Sequence, residues 1–121
     1  MVTRNVPRPS ERNELSDDEI DRLFHALATA TRRDILRRTI EREQSVSALA
    51  ADYDMSFAAV QKHVGVLESA GLIVKRAEGR ERLVRADPAM IARARALLSR
   101  YEDLWRARID RLDALLAEPE D

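Results

Sequence analysis

The chain has no cysteine, so disulfide bonds, thiolate metal sites and a cysteine nucleophile are excluded, while a reducing compartment is fully compatible with it. Aromatic residues make up only 4% of the 121, so a core has to be assembled from Leu, Ile, Val and Ala, a palette that suits packed helices. Glycine occurs 3 times and proline 4 times, leaving few breakers and no glycine-rich loop to cradle a phosphate. No apolar run approaches the roughly 20 residues that span a bilayer. Met1 to Glu14 is polar, with Pro7 and Pro9 and no apolar signal segment, so a soluble, cytoplasmic protein with no membrane partner is expected. Nor does one sign of charge dominate: the formal net charge is −1, and no global field announces a polyanionic partner.

What is present is charge sorted by position. Between residues 56 and 85, Lys62, Lys75, Arg76, Arg80, Arg82 and Arg85 face only Glu68, Glu78 and Glu81, and the acids gather toward the two ends. Residues 1–14 carry Arg4, Arg8 and Arg12 among prolines, Asn and Ser, with too little apolar surface to offset ordering, and are expected to be a disordered arm. Residues 15–117 then form one domain, followed by a short tail at 118–121.

Helix signals are frequent. Ser16-Asp17-Asp18-Glu19 matches the capping box, and Ile20, Leu23, Phe24 and Leu27 follow at helical spacing. Thr29 and Thr31 offer a second cap ahead of the stripe Ile35, Leu36 and Ile40. Arg32 and Arg33 stand at that helix start, where positive charge opposes the helix dipole, so a backbone phosphate or an acidic residue such as Asp21 is expected as partner. Ser45 caps a short helix through about Asp52, with Val46, Leu49 and Ala50 inward. After a turn at Tyr53-Asp54-Met55, Ser56 caps a helix that ends at Gly71, with Val60, Val64 and Leu67 on its inner face. Helix, short turn, helix is an arrangement that mounts a DNA-reading helix.

Two β-favouring runs, Leu72 to Arg76 and Arg80 to Arg85, flank Ala77-Glu78-Gly79 as a hairpin. Asp87-Pro88 opens a last helix that runs to about Ala117, roughly 45 Å and longer than so small a domain can cover. Ile91, Leu98, Trp105 and Leu112 recur along it every seventh residue, and Leu97, Tyr101, Leu104, Ile109, Leu115 and Leu116 widen the stripe. A second copy of the chain is the expected partner, held through Ile20, Leu23 and Phe24 together with Ile91, Leu98, Tyr101, Trp105 and Leu112.

The outward face of the Ser56 helix carries the candidate DNA chemistry. Gln61 can pair bidentately with adenine, Phe57 and Ala58 can touch a thymine methyl, and Lys62 suits a phosphate or a guanine. Ser56 can cap its own helix or bond a phosphate, and His63 suits a phosphate contact or an interhelical hydrogen bond. Arg80 and Arg82 alternate with Glu81, which places both on one strand face to grip phosphate or enter the minor groove. His25 is expected to be structural, and Gly65 to mark a close backbone approach. Carboxylates alternate with Arg along helix surfaces, with no Ser/His/Asp or paired-acid arrangement, so no enzyme is expected.

From Leu23 to Ala117 these residues resemble the ArsR/SmtB family of bacterial winged-helix repressors. Leu23-Phe24-His25-Ala26-Leu27-Ala28 followed by Thr31-Arg32-Arg33-Asp34-Ile35-Leu36 is similar to the family's opening, with Thr29-Ala30 where an Asp-Pro pair is common. Met55-Ser56, Lys62-His63-Val64, Val66-Leu67-Glu68, Ala70-Gly71-Leu72-Ile73 and Gly79-Arg80-Glu81-Arg82 resemble its recognition helix and wing. Gln61 stands where the family often has Ser, so base preference does not carry over. Metal-sensing members place Cys-Val-Cys-Asp-Leu where this chain has Ser45-Val46-Ser47-Ala48-Leu49, and residues 88–117 contain no histidine, so the resemblance is to the metal-independent type, with no cofactor and no metal site.

The resemblance implies a mainly α, dimeric winged helix-turn-helix with a small β-hairpin and a long C-terminal dimerisation helix. It further implies a transcriptional regulator that binds double-stranded, inverted-repeat operator DNA as a homodimer and represses. Two alternatives stay open at this point: a winged-helix module for protein interaction, and an effector-responsive repressor with a small-molecule pocket at the dimer interface. The residues name no effector.

Overall fold

Each of the first four helices starts where a side-chain oxygen captures a free backbone amide. In a computed structural model, which describes residues 14–117, Ser16 Oγ accepts from the Glu19 amide at 3.2 Å while the Glu19 carboxylate accepts from the Ser16 amide at 2.9 Å, completing the capping box. That backbone hydrogen bond, ahead of all else, holds the Glu19 carboxyl below its ordinary pKa. Thr29, Ser45 and Ser56 accept in the same way from Arg32, Ala48 and Ala59. The resulting elements are α1 (Asp17–Ala26), α2 (Ala30–Glu41), β1 (Gln44–Ser45), α3 (Val46–Ala51), α4 (Phe57–Ser69), β2 (Ile73–Glu78), β3 (Glu81–Ala86) and α5 (Pro88–Ala117). The expected arm and tail fall, but for Glu14, outside the described residues; Glu14 itself pairs with Arg100 and its carbonyl accepts from Arg93.

The three strands form one antiparallel sheet in the order β1-β3-β2. β1 was not expected, because Gln44 and Ser45 carry no strand signal and are strand only through pairing with Val84 and Leu83. The hairpin is longer than its β-favouring runs: Glu78 pairs with Glu81, so the turn is Gly79-Arg80. Gly79 has φ +61 and no described non-glycine residue has positive φ, the pattern of a type II′ turn. Arg80 therefore sits at the tip of the wing and does not share a strand face with Arg82.

The core draws on every helix: Leu23 and Ala26 of α1, Ile35 of α2, Val46 and Leu49 of α3, Val60, Val64 and Leu67 of α4, and Leu97 of α5. Ile73 and Val84 seal it from the sheet. Leu23, expected at a subunit interface, is only 2% exposed inside the protomer, because α4 covers that face of α1. Ile20 and Ile91 pack partly against the same core, whereas Phe24, Leu98, Tyr101, Trp105 and Leu112 stay exposed. Ile40, placed by periodicity on the inner stripe, is 56% exposed, since Thr39 takes the inward position with its hydroxyl bonded to the Leu36 carbonyl at 2.8 Å. Past Leu97 every described residue of α5 is exposed.

Candidate nucleic-acid interface

The outward face of α4 is presented by a helix fixed on its other side and at both ends. Val60, Val64 and Leu67 anchor it to the core. At its C-terminus the Leu72 amide bonds the Leu67 carbonyl at 3.1 Å and the Gly71 amide bonds Glu68 at 2.9 Å, a Schellman closure with Gly71 at φ +78. The chain then enters β2 directly, so α4 and the wing are consecutive.

The turn between α3 and α4 is braced against α2. Tyr53 donates its hydroxyl to the Asp34 carboxylate, and Arg38 donates to Asp52 and Gln44 while its guanidinium lies 5.6 Å from the Tyr53 ring centroid. The Tyr53 hydroxyl, then the Arg37 guanidinium, hold the Asp34 carboxyl below its usual range; burial, then the Asp34 carboxylate, push the Tyr53 hydroxyl up. Sequence reasoning missed these positioning residues, whose only signal was an isolated tyrosine in a polar turn.

Arg32 meets no acid among the described residues. It is 7% exposed and donates through Nε to the Ala26 carbonyl at 2.8 Å and through Nη2 to the His25 carbonyl at 2.8 Å, both at the electronegative end of α1. Its Nη1 meets His63 Nδ1 at 3.1 Å. A guanidinium can only donate, so the His63 ring is neutral with its proton on Nε2. Burial, then the Arg32 charge, hold the His63 pKa below its ordinary value. Of its two expected roles His63 makes the interhelical contact, tying α4 to α2 through Nδ1. Arg33 likewise caps α1, donating to the Leu27 carbonyl at 2.7 Å.

The rest of the expected set lies at the surface. Phe57, Ala58, Gln61 and Lys62 are exposed on α4, with Ser56 at its head, its hydroxyl engaged by the Ala59 amide. Charge pairing refines the basic surplus: Lys75 pairs with Glu68 at 3.3 Å, and Arg76 with Glu43 at 2.8 Å and Glu78 at 3.3 Å. Lys62, Arg80 and Arg82 have no carboxylate partner among the described residues, so the uncompensated charge is on α4, the wing tip and β3. Arg22 and His25 of α1 flank Lys62 across a shallow cleft, adding two groups that the sequence reading did not place here.

The family's thiophilic metal centre does not fit this donor set. Ser45 uses its oxygen as the α3 cap, Ser47 is an exposed hydroxyl, and among the described residues no three His, Cys, Asp or Glu side chains converge as a metal site.

A family model described as a helix-turn-helix domain matches residues 27–76. The HTH-type transcriptional regulator Rv2034 of Mycobacterium tuberculosis is 38% identical over 81 residues, covering 67% of this chain and 76% of that protein. An ArsR-like transcriptional regulator from Rhodococcus sp. RHA1 superposes with a TM-score of 0.72 at 31% identity, over 85% of this chain and 96% of that one. The homodimeric winged helix-turn-helix DNA-binding domain of Mb0332 from Mycobacterium bovis superposes with a TM-score of 0.57 at 26% identity, over 74% and 91%. With α3 and α4 as the paired helices, β2 and β3 as the wing and α5 extending from it, the chain belongs to the ArsR family of winged helix-turn-helix transcriptional regulators.

Proposed function

We propose that the protein is a homodimeric repressor that occupies an inverted-repeat operator in the cytoplasm, with α4 in the major groove, the wing on the flanking backbone and α5 pairing the subunits. The carrying observation is that Phe57, Ala58, Gln61 and Lys62 share the free face of a helix whose opposite face and both termini are locked. Gln61 reads a base edge, Phe57 and Ala58 lie against thymine methyls, and Lys62 neutralises phosphate or reads guanine. Ser56 brings the positive end of α4 to a phosphate, and Arg80 and Arg82 hold the backbone from the wing. The homodimeric Mb0332 neighbour and the uncovered stripe of α5 support the pairing. Rv2034 and the Rhodococcus neighbour are transcriptional regulators, and this reading assigns no catalytic residue.

Selection of bound fragments from random duplexes, followed by footprinting, tests it. The selected site should be an inverted repeat whose half-sites lie about one helical turn, or a multiple of it, apart. Gln61→Ala should cost about 1–3 kcal/mol at one base position per half-site, whereas Arg82→Ala should weaken all sequences alike and flatten the salt slope by about one unit. Equal loss on specific and random DNA for Gln61→Ala would move base reading to another residue. Selection that enriches no sequence would leave a protein-interaction module.

A further inference from the structure

A groove of about 580 Å³ lies between the end of α2, the end of β3 and the first turns of α5. Its floor is apolar: Ile40 from α2, with Pro88 and Ile91 from α5. Its rim is basic, with Arg42 at the end of α2, Arg85 on β3 and Arg95 on α5. Some arginines of this surface face acids, as Arg37 does Asp34 and Glu41, and Arg106 does Glu102. Those of the groove do not. The side chains of Arg42 and Arg95 have no hydrogen-bond or ion-pair partner among the described residues, and Arg85 acts on Glu43 only through space. Glu43, the one carboxylate lining the groove, is already held by Arg76 through bonds of 3.0 and 2.8 Å.

Three arginines, Arg42 just past α2, Arg85 on β3 and Arg95 on α5, therefore line one partly apolar groove in a chain whose net charge is −1. We infer that this groove binds a small amphipathic carboxylate, its hydrocarbon body on Ile40, Pro88 and Ile91 and its anionic head among Arg42, Arg85 and Arg95. The volume falls in the range of small-molecule sites, and planar guanidiniums match a carboxylate in charge and geometry. Duplex DNA matches the rim but not the floor. The wing strand β3 forms one wall, and Glu43 also latches the wing strand β2 through Arg76, so an anion on Arg85 sits beside the joint between the body and the wing. Occupancy thus alters operator affinity. This regulatory half rests on the DNA-binding reading above; the binding half does not.

Octanoate titrated into the whole protein without DNA, followed at the backbone amides of Ile40, Arg42 and Ile91 by heteronuclear NMR, tests the binding half, with 1-octanol, octylammonium, acetate and inorganic phosphate as comparisons. Octanoate should saturate and bind at least about tenfold more tightly than each of these, and Arg42→Gln and Arg95→Gln should each weaken it about tenfold with circular dichroism unchanged. Equal affinity for octanol would overturn the proposal by showing a merely apolar patch, and equal affinity for phosphate by showing a merely anionic one. Absence of saturation overturns it as well, and if octanoate then binds a monomeric Trp105→Glu protein, the second copy of the chain is the occupant. Saturating octanoate should change affinity for the selected operator by about fivefold or more. Unchanged affinity overturns the regulatory half alone, while failure to select any operator strikes the DNA-binding reading and leaves groove binding standing.

Discussion

Arg32 is a buried cation with no carboxylate partner among the described residues, a costly arrangement that here is offset by the carbonyls at the end of α1 and by a neutral His63. The offset holds only while His63 stays neutral. Above its ordinary pKa of 6.5 the ring is uncharged whether folded or not; as pH falls below that value the unfolded chain takes up a proton that the native state refuses, so stability declines down to the depressed native pKa. Glu19, Asp34 and Glu43, with carboxyls held below 4.5, 3.8 and 4.5 respectively, lose their contributions only in stronger acid. Urea midpoints should therefore fall between about pH 7.5 and about pH 5.5 in the wild type and fall less in His63→Gln; equal slopes would show that His63 is not desolvated in the native state. Two glycines of α4 and its cap give a second residue-scale contrast. A Cβ at Gly65 meets nothing within 4 Å, so the expected close approach is absent and Gly65→Ala should stabilise by about 0.5–1 kcal/mol through helix propensity. Gly71→Ala, at φ +78 with Met90 Cε 2.8 Å from the new methyl, should destabilise by about 1–2 kcal/mol. Thermal denaturation of the pair settles both signs.

Among elements, the wing is anchored to the body at one end only, through Ile73 of β2 and Val84 of β3. Val74, Leu83 and Ala86 are half-buried beside them, the rest of the two strands faces solvent, and the two-residue turn depends on the positive φ of Gly79. Gly79→Ala should speed amide exchange in β2 and β3 while leaving the melting temperature within about 2 °C, because open space surrounds the new methyl and the core is untouched. A fall beyond that range would show that the wing unfolds together with the body. The helices were legible in sequence because their signals are local: Ser16, Thr29, Ser45, Ser56 and Asp87 each sit beside the amides they cap. β1 was not legible, since two residues acquire strand geometry only from a partner about 40 positions away. The same distinction runs through the site. The outward residues of α4 follow from helical periodicity, whereas the inward turn of His63 and the burial of Arg32 depend on how α1, α2 and α4 meet, which no spacing within one helix encodes. Periodicity also misplaced Leu23, because it shows that a face is apolar without showing whether the same chain or another covers it.

At the scale of the whole molecule, α5 is the feature that a single protomer leaves incomplete. Leu97 is its one buried residue, and Leu98, Tyr101, Leu104, Trp105, Ile109, Leu112 and Leu115 stand exposed along the half that leaves the body. Most helical stability in proteins comes from packing of an apolar face, and an exposed apolar stripe of this length marks an interaction surface. On the reading proposed above, a second α5 related by a two-fold axis covers it with like against like and sets two α4 helices at the symmetric spacing of an inverted repeat. Trp105 lies in the middle of the stripe at 60% exposure and contributes nothing to the protomer core, so Trp105→Glu should leave the body folded while yielding monomer by sedimentation at micromolar concentration. Joining two half-site contacts multiplies affinity by about a hundredfold or more, so the variant should lose at least that on its operator. Lys62, Arg80 and Arg82 are untouched in each protomer, so binding to random duplex at low salt should persist. A wild type that sediments as monomer, or a Trp105→Glu protein that stays dimeric with full operator affinity, would place the subunit contact elsewhere and detach the α5 stripe from DNA recognition.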